Sequence, residues 1–190
     1  AVSLAVIVVI LSTTSASAAT ATVTMTNYAF TAKAQTVRLG NSVTWRNTST
    51  KTHTATPSVN WSWGGVSVAK GATSANVSPT QAGGFAYYCS IHPTLMKGNI
   101  KVPITVNPAG GNTATSFNLT LGTVKAPGVL VHDVYIRRNG GAWILRVETA
   151  EPSVSISFTQ TGTWGIRTRL RYQLGGATSG FSPISTVVVF

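Results

Sequence analysis

The chain has 190 residues, 43% of them hydrophobic and only 9% charged, which excludes intrinsic disorder, since disorder combines low hydrophobicity with high charge. Fourteen Lys/Arg against three Asp/Glu give a formal net charge of +11. All three acids (Asp133, Glu148, Glu151) lie in the second half, so residues 19–106 carry Lys33, Arg38, Arg46, Lys51, Lys70, Lys97 and Lys101 with no carboxylate, and acid–base hydrolysis lacks its groups there.

Residues 1–11 are almost wholly apolar and STTSASA follows, with Ala16-Ser17-Ala18 fitting an A-x-A export cleavage site. Residues 1–18 therefore read as an N-terminally truncated signal peptide, and the protein as periplasmic, extracellular or at the cell surface. The alternative is an uncleaved anchor, although the run falls short of the ~20 residues that span a bilayer. In an exported chain the lone cysteine, Cys89, has no intrachain disulfide partner. It must be buried, paired between chains or bound to metal.

Gly, Ser, Thr and Val recur without any long amphipathic stretch, which predicts strands and turns. Val23 and Met25 precede Asn27, and Tyr28 and Phe30 follow it. Val37-Arg38-Leu39 leads into a Gly40-Asn41 turn, and residues 42–46 alternate cleanly. Phe85, Tyr87 and Cys89 share one strand face, and Ile100, Val102, Ile104 and Val106 form a last alternating run. Residues 107–113 break the periodicity as a linker would, separating residues 19–106 from residues 114–190. Beyond it, Phe117 to Leu121, Val129 to Ile136, Trp143 to Val147, Val154 to Phe158 and Trp164 to Leu170 predict a second β-sandwich. Arg167, Arg169 and Arg171 form a stripe on one strand face, expected to be solvated, with an anionic surface as the other reading.

Two of the three histidines frame the cysteine. His92 and Met96 follow Cys89 within YYCSIHPTLMKG, and His53 lies upstream in WRNTSTKTHTAT. One thiolate, two imidazoles and a weak thioether are the ligand set of a trigonal His2Cys copper site with an axial Met. Taken singly, each has a structural reading: a buried small hydrophobe for Cys89, a core or rim residue for Met96, a loop residue for His53. His132 has no ligand partner nearby and is expected as a strand or surface residue. Imidazoles bound to metal donate their other N–H to an acceptor. With no acid in this half, that acceptor has to be backbone, amide, hydroxyl or solvent.

The segments NYAF (27–30), VRLGNSVTWRN (37–47), VAKGATS (68–74) and AGGFAYYCSIHPTLMKG (82–98) resemble the cupredoxins, the type 1 blue copper proteins that include plastocyanins and azurins. The resemblance runs from about Val23 to Val106. It implies a Greek-key β-sandwich, one type 1 copper bound by His53, Cys89, His92 and Met96, and one-electron transfer. The short His92-to-Met96 gap looks more like azurins than plastocyanins. It also implies an apolar electron exit formed by Ile91, His92, Pro93 and Leu95, to which Trp61 and Trp63 belong unless they cover the core. Lys51 and Lys97 flank the ligands as candidate docking residues for an acidic redox partner. VHDVYIRRNGGAW (131–143), GTWGIRTRLR (162–171) and SGFSPISTVVV (179–189) are similar to fibronectin type III-like (immunoglobulin-like) domains, implying a spacer or attachment module.

The expected function is thus an exported electron carrier, not an enzyme. A multicopper oxidase needs many more histidines than His132 alone. A copper carrier or store, or a cell-surface protein, is the alternative. The basic charge suits a redox protein, an anionic cell-surface polymer or a membrane surface. Nucleic acid does not fit an exported chain without a basic, stacking-aromatic motif.

Overall fold

A computed structural model describes residues 18–59 and 63–190. The export segment, apart from Ala18, and Trp61 lie outside the described residues. Every regular element described is a strand, so the chain is all-β, as its composition predicts.

The first half supplies β1 (Thr20–Met25), β2 (Phe30–Thr31), β3 (Ala34–Thr36), β4 (Ser42–Asn47), β5 (His53–Pro57), β6 (Val66–Val68), β7 (Gly83–Tyr88) and β8 (Lys97–Val102). They form two sheets, ordered β2-β1-β4 and β3-β8-β7-β5-β6. β1 runs parallel to β4, and β3 parallel to β8, so the chain crosses between sheets instead of meandering. Alternation decides the faces: Val23, Met25, Val43 and Trp45 of the first sheet are buried with Phe85, Tyr87, Ile100 and Val102 of the second. Gly40 takes φ 85°, the left-handed value that the third position of a type II turn requires, and Asn41 N–H closes that turn onto the Arg38 carbonyl at 3.0 Å.

The second half supplies β9 (Thr105–Asn107), β10 (Gly110–Gly111), β11 (Phe117–Thr120), β12 (Leu130–Arg138), β13 (Ile144–Thr149), β14 (Ser153–Ile156), β15 (Gly162–Tyr172) and β16 (Ser185–Val189). Their sheets are β14-β11-β9 and β10-β16-β15-β12-β13. The three-stranded and five-stranded sheets make a second β-sandwich.

Two expectations about the middle of the chain need correction. The alternating run through Val106 is two strands: β8 ends at Val102, and β9 pairs with β11 of the second half. Pro103 sits between them, and without an N–H it cannot continue a ladder. The segment expected as a linker, 107–113, is hydrogen-bonded structure, since Asn107 closes β9 and β10 runs parallel to β16.

The two halves are joined beyond that crossing. Gly84 and Gly180 exchange both backbone hydrogen bonds, at 2.7 and 2.8 Å, and Ala82 N–H donates to the Leu121 carbonyl at 2.7 Å. A Cβ on Gly84 would lie 2.8 Å from the Phe181 carbonyl oxygen, so this approach requires glycine. Gln81, fully buried, donates through Nε2 to the Val124 carbonyl at 3.0 Å, which orients its Oε1 toward His132 Nε2 at 2.9 Å.

His132 therefore lies in a strand and is fully buried, not at the surface. Burial lowers its pKa from 6.5 to about 4, against a smaller opposing effect from Asp133. The unfolded chain binds this proton more readily than the folded one. The stability contributed by neutral His132 is complete above pH 6.5 and is lost as pH falls from 6.5 through about 4. A His132→Asn variant should lack this component. Urea midpoints of the two proteins, compared from pH 7 to pH 4, should show an additional loss of about 3 kcal/mol in the wild type alone. Parallel curves would refute the assignment.

The arginine stripe is not a simple solvated face. Arg169 and Arg171 bond the buried carboxylate of Asp133, at 3.3 and 3.0 Å, and Arg171 also bonds Glu148. The Arg167 guanidinium lies over the rings of both Trp143 and Phe181, 4.0 and 3.7 Å from their centroids.

Candidate metal centre

The site is built at the end of β7, where the alternation that buries Phe85 and Tyr87 carries on to Cys89, fully buried. His53 opens β5, which pairs with β7 through Thr56 and Tyr88. Both residues face the same interior. The loop after Cys89 turns back on itself: His92 N–H donates to the Cys89 carbonyl at 3.0 Å, and Met96 N–H to the His92 carbonyl at 3.0 Å. Cys89 N–H then donates to the Met96 carbonyl at 3.0 Å, which closes the loop and ties it to the start of β8.

These elements bring three ligand atoms together. Cys89 Sγ lies 3.7 Å from His53 Nδ1 and 3.8 Å from His92 Nδ1, and all three ligand atoms fall within 4.8 Å of one another. Bonds of about 2.0–2.1 Å to imidazole and about 2.3 Å to thiolate would separate S from N by roughly 3.6–3.8 Å in a trigonal or tetrahedral arrangement. The observed spacing fits one shared metal ion. Met96 is fully buried next to this loop, where its backbone bonds both Cys89 and His92.

Electrostatics favour the metal-binding form of His53. Its pKa is lowered by burial, then by the charge of His92 and of Lys51, a direction that favours the neutral ring a ligand must offer. His53 Nε2 is buried without a hydrogen-bond partner among the described residues. The Thr54 N–H donates to Cys89 Sγ over 3.3 Å.

Three supporting residues escaped the sequence reading. Asn47, fully buried, donates to the carbonyls of Lys51 (2.7 Å) and Val68 (2.9 Å) and accepts from the N–H and hydroxyl of Ser49 (2.9 and 2.8 Å). Its amide is fully used in fixing the loop that leads into His53. The available signal was parity, because Asn47 continues the buried face of Val43 and Trp45 and a buried amide needs partners. Thr54 Oγ1 accepts from Ser90 N–H at 2.8 Å and meets the Ser90 hydroxyl at 3.0 Å, which latches β5 to the ligand loop. Tyr28 stands edge-on to His92, ring centroids 5.1 Å apart, lifted there by the turn that Thr26 and Ala29 close.

Around the half-buried His92, Ile91 is 52% exposed, Leu95 64% and Tyr28 49%, and Pro93 is exposed as well. His92 Nδ1 faces the sulfur, so its other edge turns toward this rim. Trp63 does not join the rim. It is buried against Trp45 and Phe85, at centroid distances of 6.5 and 5.8 Å, and covers the core. Lys51 and Lys97 are both exposed.

No family model matches the sequence, and no curated protein does. Among solved structures, an oxidized mutant of amicyanin is 22% identical over 43% of this chain and 80% of its own, with a TM-score of 0.39. A reduced Cu(I) form of another amicyanin mutant is also 22% identical, over 47% of this chain and 86% of its own, with a TM-score of 0.40. A purple cupredoxin from Nitrosopumilus maritimus is 22% identical over 43% of this chain and 98% of its own, with a TM-score of 0.38. Each likeness extends over less than half of the chain.

Proposed function

We propose that this chain is an exported one-electron carrier whose type 1 copper would be held by His53, Cys89 and His92, with Met96 as a further, weaker ligand. The observation that carries the reading is the convergence of two imidazole Nδ1 atoms on one thiolate beside a buried methionine. Soft sulfur donors suit Cu(I), imidazoles accept both states, and copper held there supplies a Cu(I)/Cu(II) couple.

The chain's own residues supply the rest. Asn47, the Thr54–Ser90 latch and the loop hydrogen bonds hold the ligands, so little rearrangement is asked of the protein. Tyr28, Ile91, Pro93 and Leu95 make a water-poor contact around His92, by which a redox partner gains its closest approach. Lys51 and Lys97 would steer an acidic partner there. Against an oxidase, the one remaining histidine, His132, is buried and committed to Gln81. The sequence of residues 1–18 supports export, and the second half would be the fibronectin type III-like attachment module.

Voltammetry of the copper-loaded chain tests the transfer step. A reversible one-electron couple is expected, and Leu95→Glu should slow its electrode kinetics while leaving the visible spectrum intact. An irreversible or absent couple would favour the copper store instead.

A further inference from the structure

An antiparallel sheet packed on one side presents polar residues on the other, and the five-stranded sheet of the second half departs from this. Ile166, Thr168 and Leu170 of β15 are buried in the sandwich, so Gly165, Arg167 and Arg169 take the outer face. Arg137 of β12 stands opposite Gly165, and Tyr135 opposite Arg167. Leu145 of β13 lies opposite Tyr135, and Val188 of β16 opposite Thr163, 43% and 51% exposed. Ile184, 48% exposed, meets Arg137 over Gly165, where a Cβ would lie 3.4 Å from each. Aliphatic groups therefore border a cationic middle on both sides, with β13 and β16 about 14 Å apart across three strand spacings.

The cationic middle has a closed end and an open one. At the closed end Arg169 and Arg171 hold Asp133, and Arg171 also holds Glu148. At the open end Arg137 and Arg167 have no carboxylate, because the third acid of the chain, Glu151, is paired with Lys125. Both guanidinium groups lie over the ring of Trp143, 4.6 and 4.0 Å from its centroid. The Arg167 Nε is buried with no hydrogen-bond partner. Two like charges fixed on one indole repel each other, and an anion beside them relieves that repulsion. Such an anion has to come from outside the chain, and a second copy has no unpaired carboxylate to offer.

We infer that this outer face docks on an anionic phospholipid surface, with Arg137 and Arg167 on lipid phosphates and Leu145, Ile184 and Val188 at the acyl boundary. A guanidinium fork matches phosphate, and an indole suits the interfacial layer. An acidic protein would have to frame its carboxylates with two separate apolar patches at this spacing. A bilayer interface offers phosphate and hydrocarbon together at every point of a plane. The inference rests on the attachment reading of the second half and needs nothing of the copper reading.

Flotation of the mature chain, residues 19–190, with lipid vesicles tests this. Vesicles containing phosphatidylglycerol should carry the protein, and pure phosphatidylcholine vesicles should not. Arg137→Gln should weaken partition about fivefold, the effect of one basic residue at an anionic surface. Val188→Ser should weaken it about threefold or more through lost apolar contact. Lys70→Gln removes an exposed charge from the first half and should change it by less than about twofold. Brominated acyl chains should quench the tryptophan fluorescence, and Trp143→Phe, which keeps a ring beneath both guanidinium groups, should remove most of that quenching. Equal losses in Arg137→Gln and Lys70→Gln, or quenching that persists in Trp143→Phe, would overturn this face as the contact. No flotation with either vesicle would overturn the lipid assignment. Retention on immobilised polyglutamate that Arg137→Gln abolishes would then give the face to an acidic protein and keep the attachment reading. Val188 is half exposed, so its variant keeps the fold and the test decisive should Arg137→Gln misfold.

Discussion

Cys89→Ser should abolish the intense visible thiolate-to-metal absorption that the wild-type chain develops with Cu(II), and metal affinity should fall by more than about a hundredfold, beyond what loss of an outer-shell partner costs. Both imidazoles point their Nδ1 at Cys89 Sγ, and Thr54 donates its N–H there as well, so the sulfur is the centre of the arrangement and not one ligand among equals. A serine hydroxyl at this position is a hard, protonated donor in a cage built for a soft anion. Met96→Leu separates the contributions. Its volume is conserved in a fully buried position, so the fold should lose less than about 1.5 kcal/mol. The absorption band should survive, with altered EPR parameters and a shifted reduction potential. Survival of the band in Cys89→Ser would sink the copper-thiolate centre. An unchanged potential in Met96→Leu would remove Met96 from the ligand set.

Gly84→Val should destabilise the whole chain by about 1–3 kcal/mol, as overpacking does, because the new side chain meets backbone and not a movable side-chain end. The Phe181 carbonyl oxygen would lie 2.8 Å from the Cβ, and the paired Gly84–Gly180 hydrogen bonds would have to part. Separation of the halves would also expose Gln81 and His132. Small-angle scattering should show a longer particle, and thermal unfolding should divide into two transitions. A single unshifted transition would show that the junction contributes nothing.

Much of this was legible in the sequence because alternation is a direct record of burial. Phe85, Tyr87 and Cys89 are all buried while Ala86 is exposed, as their parity implies. The clustering of His53, Cys89 and His92 was legible because soft and imidazole donors are scarce in the chain, so their spacing carried information. The boundary between the halves was misplaced because Ile104 and Val106 keep the parity of Ile100 and Val102 across Pro103. Parity reports which face a residue takes, but not which sheet it joins. The burial of His132 at the junction was not legible for a related reason: its partner, Gln81, lies 51 residues away, and only the junction brings the two together. The Arg167 stack on Trp143 and Phe181 was equally invisible, because the rings arrive from β13's approach and from the segment after β15.

β7 is held at one end by Gly180 and leads at the other into Cys89. Those two points are five residues apart along one extended segment, a span of roughly 17 Å. The ligand cluster therefore rides on a short strut, not on a swinging tether. The rim around His92 is therefore carried at a set distance and angle from the second half, and lengthening residues 107–113 would do nothing to extend its reach.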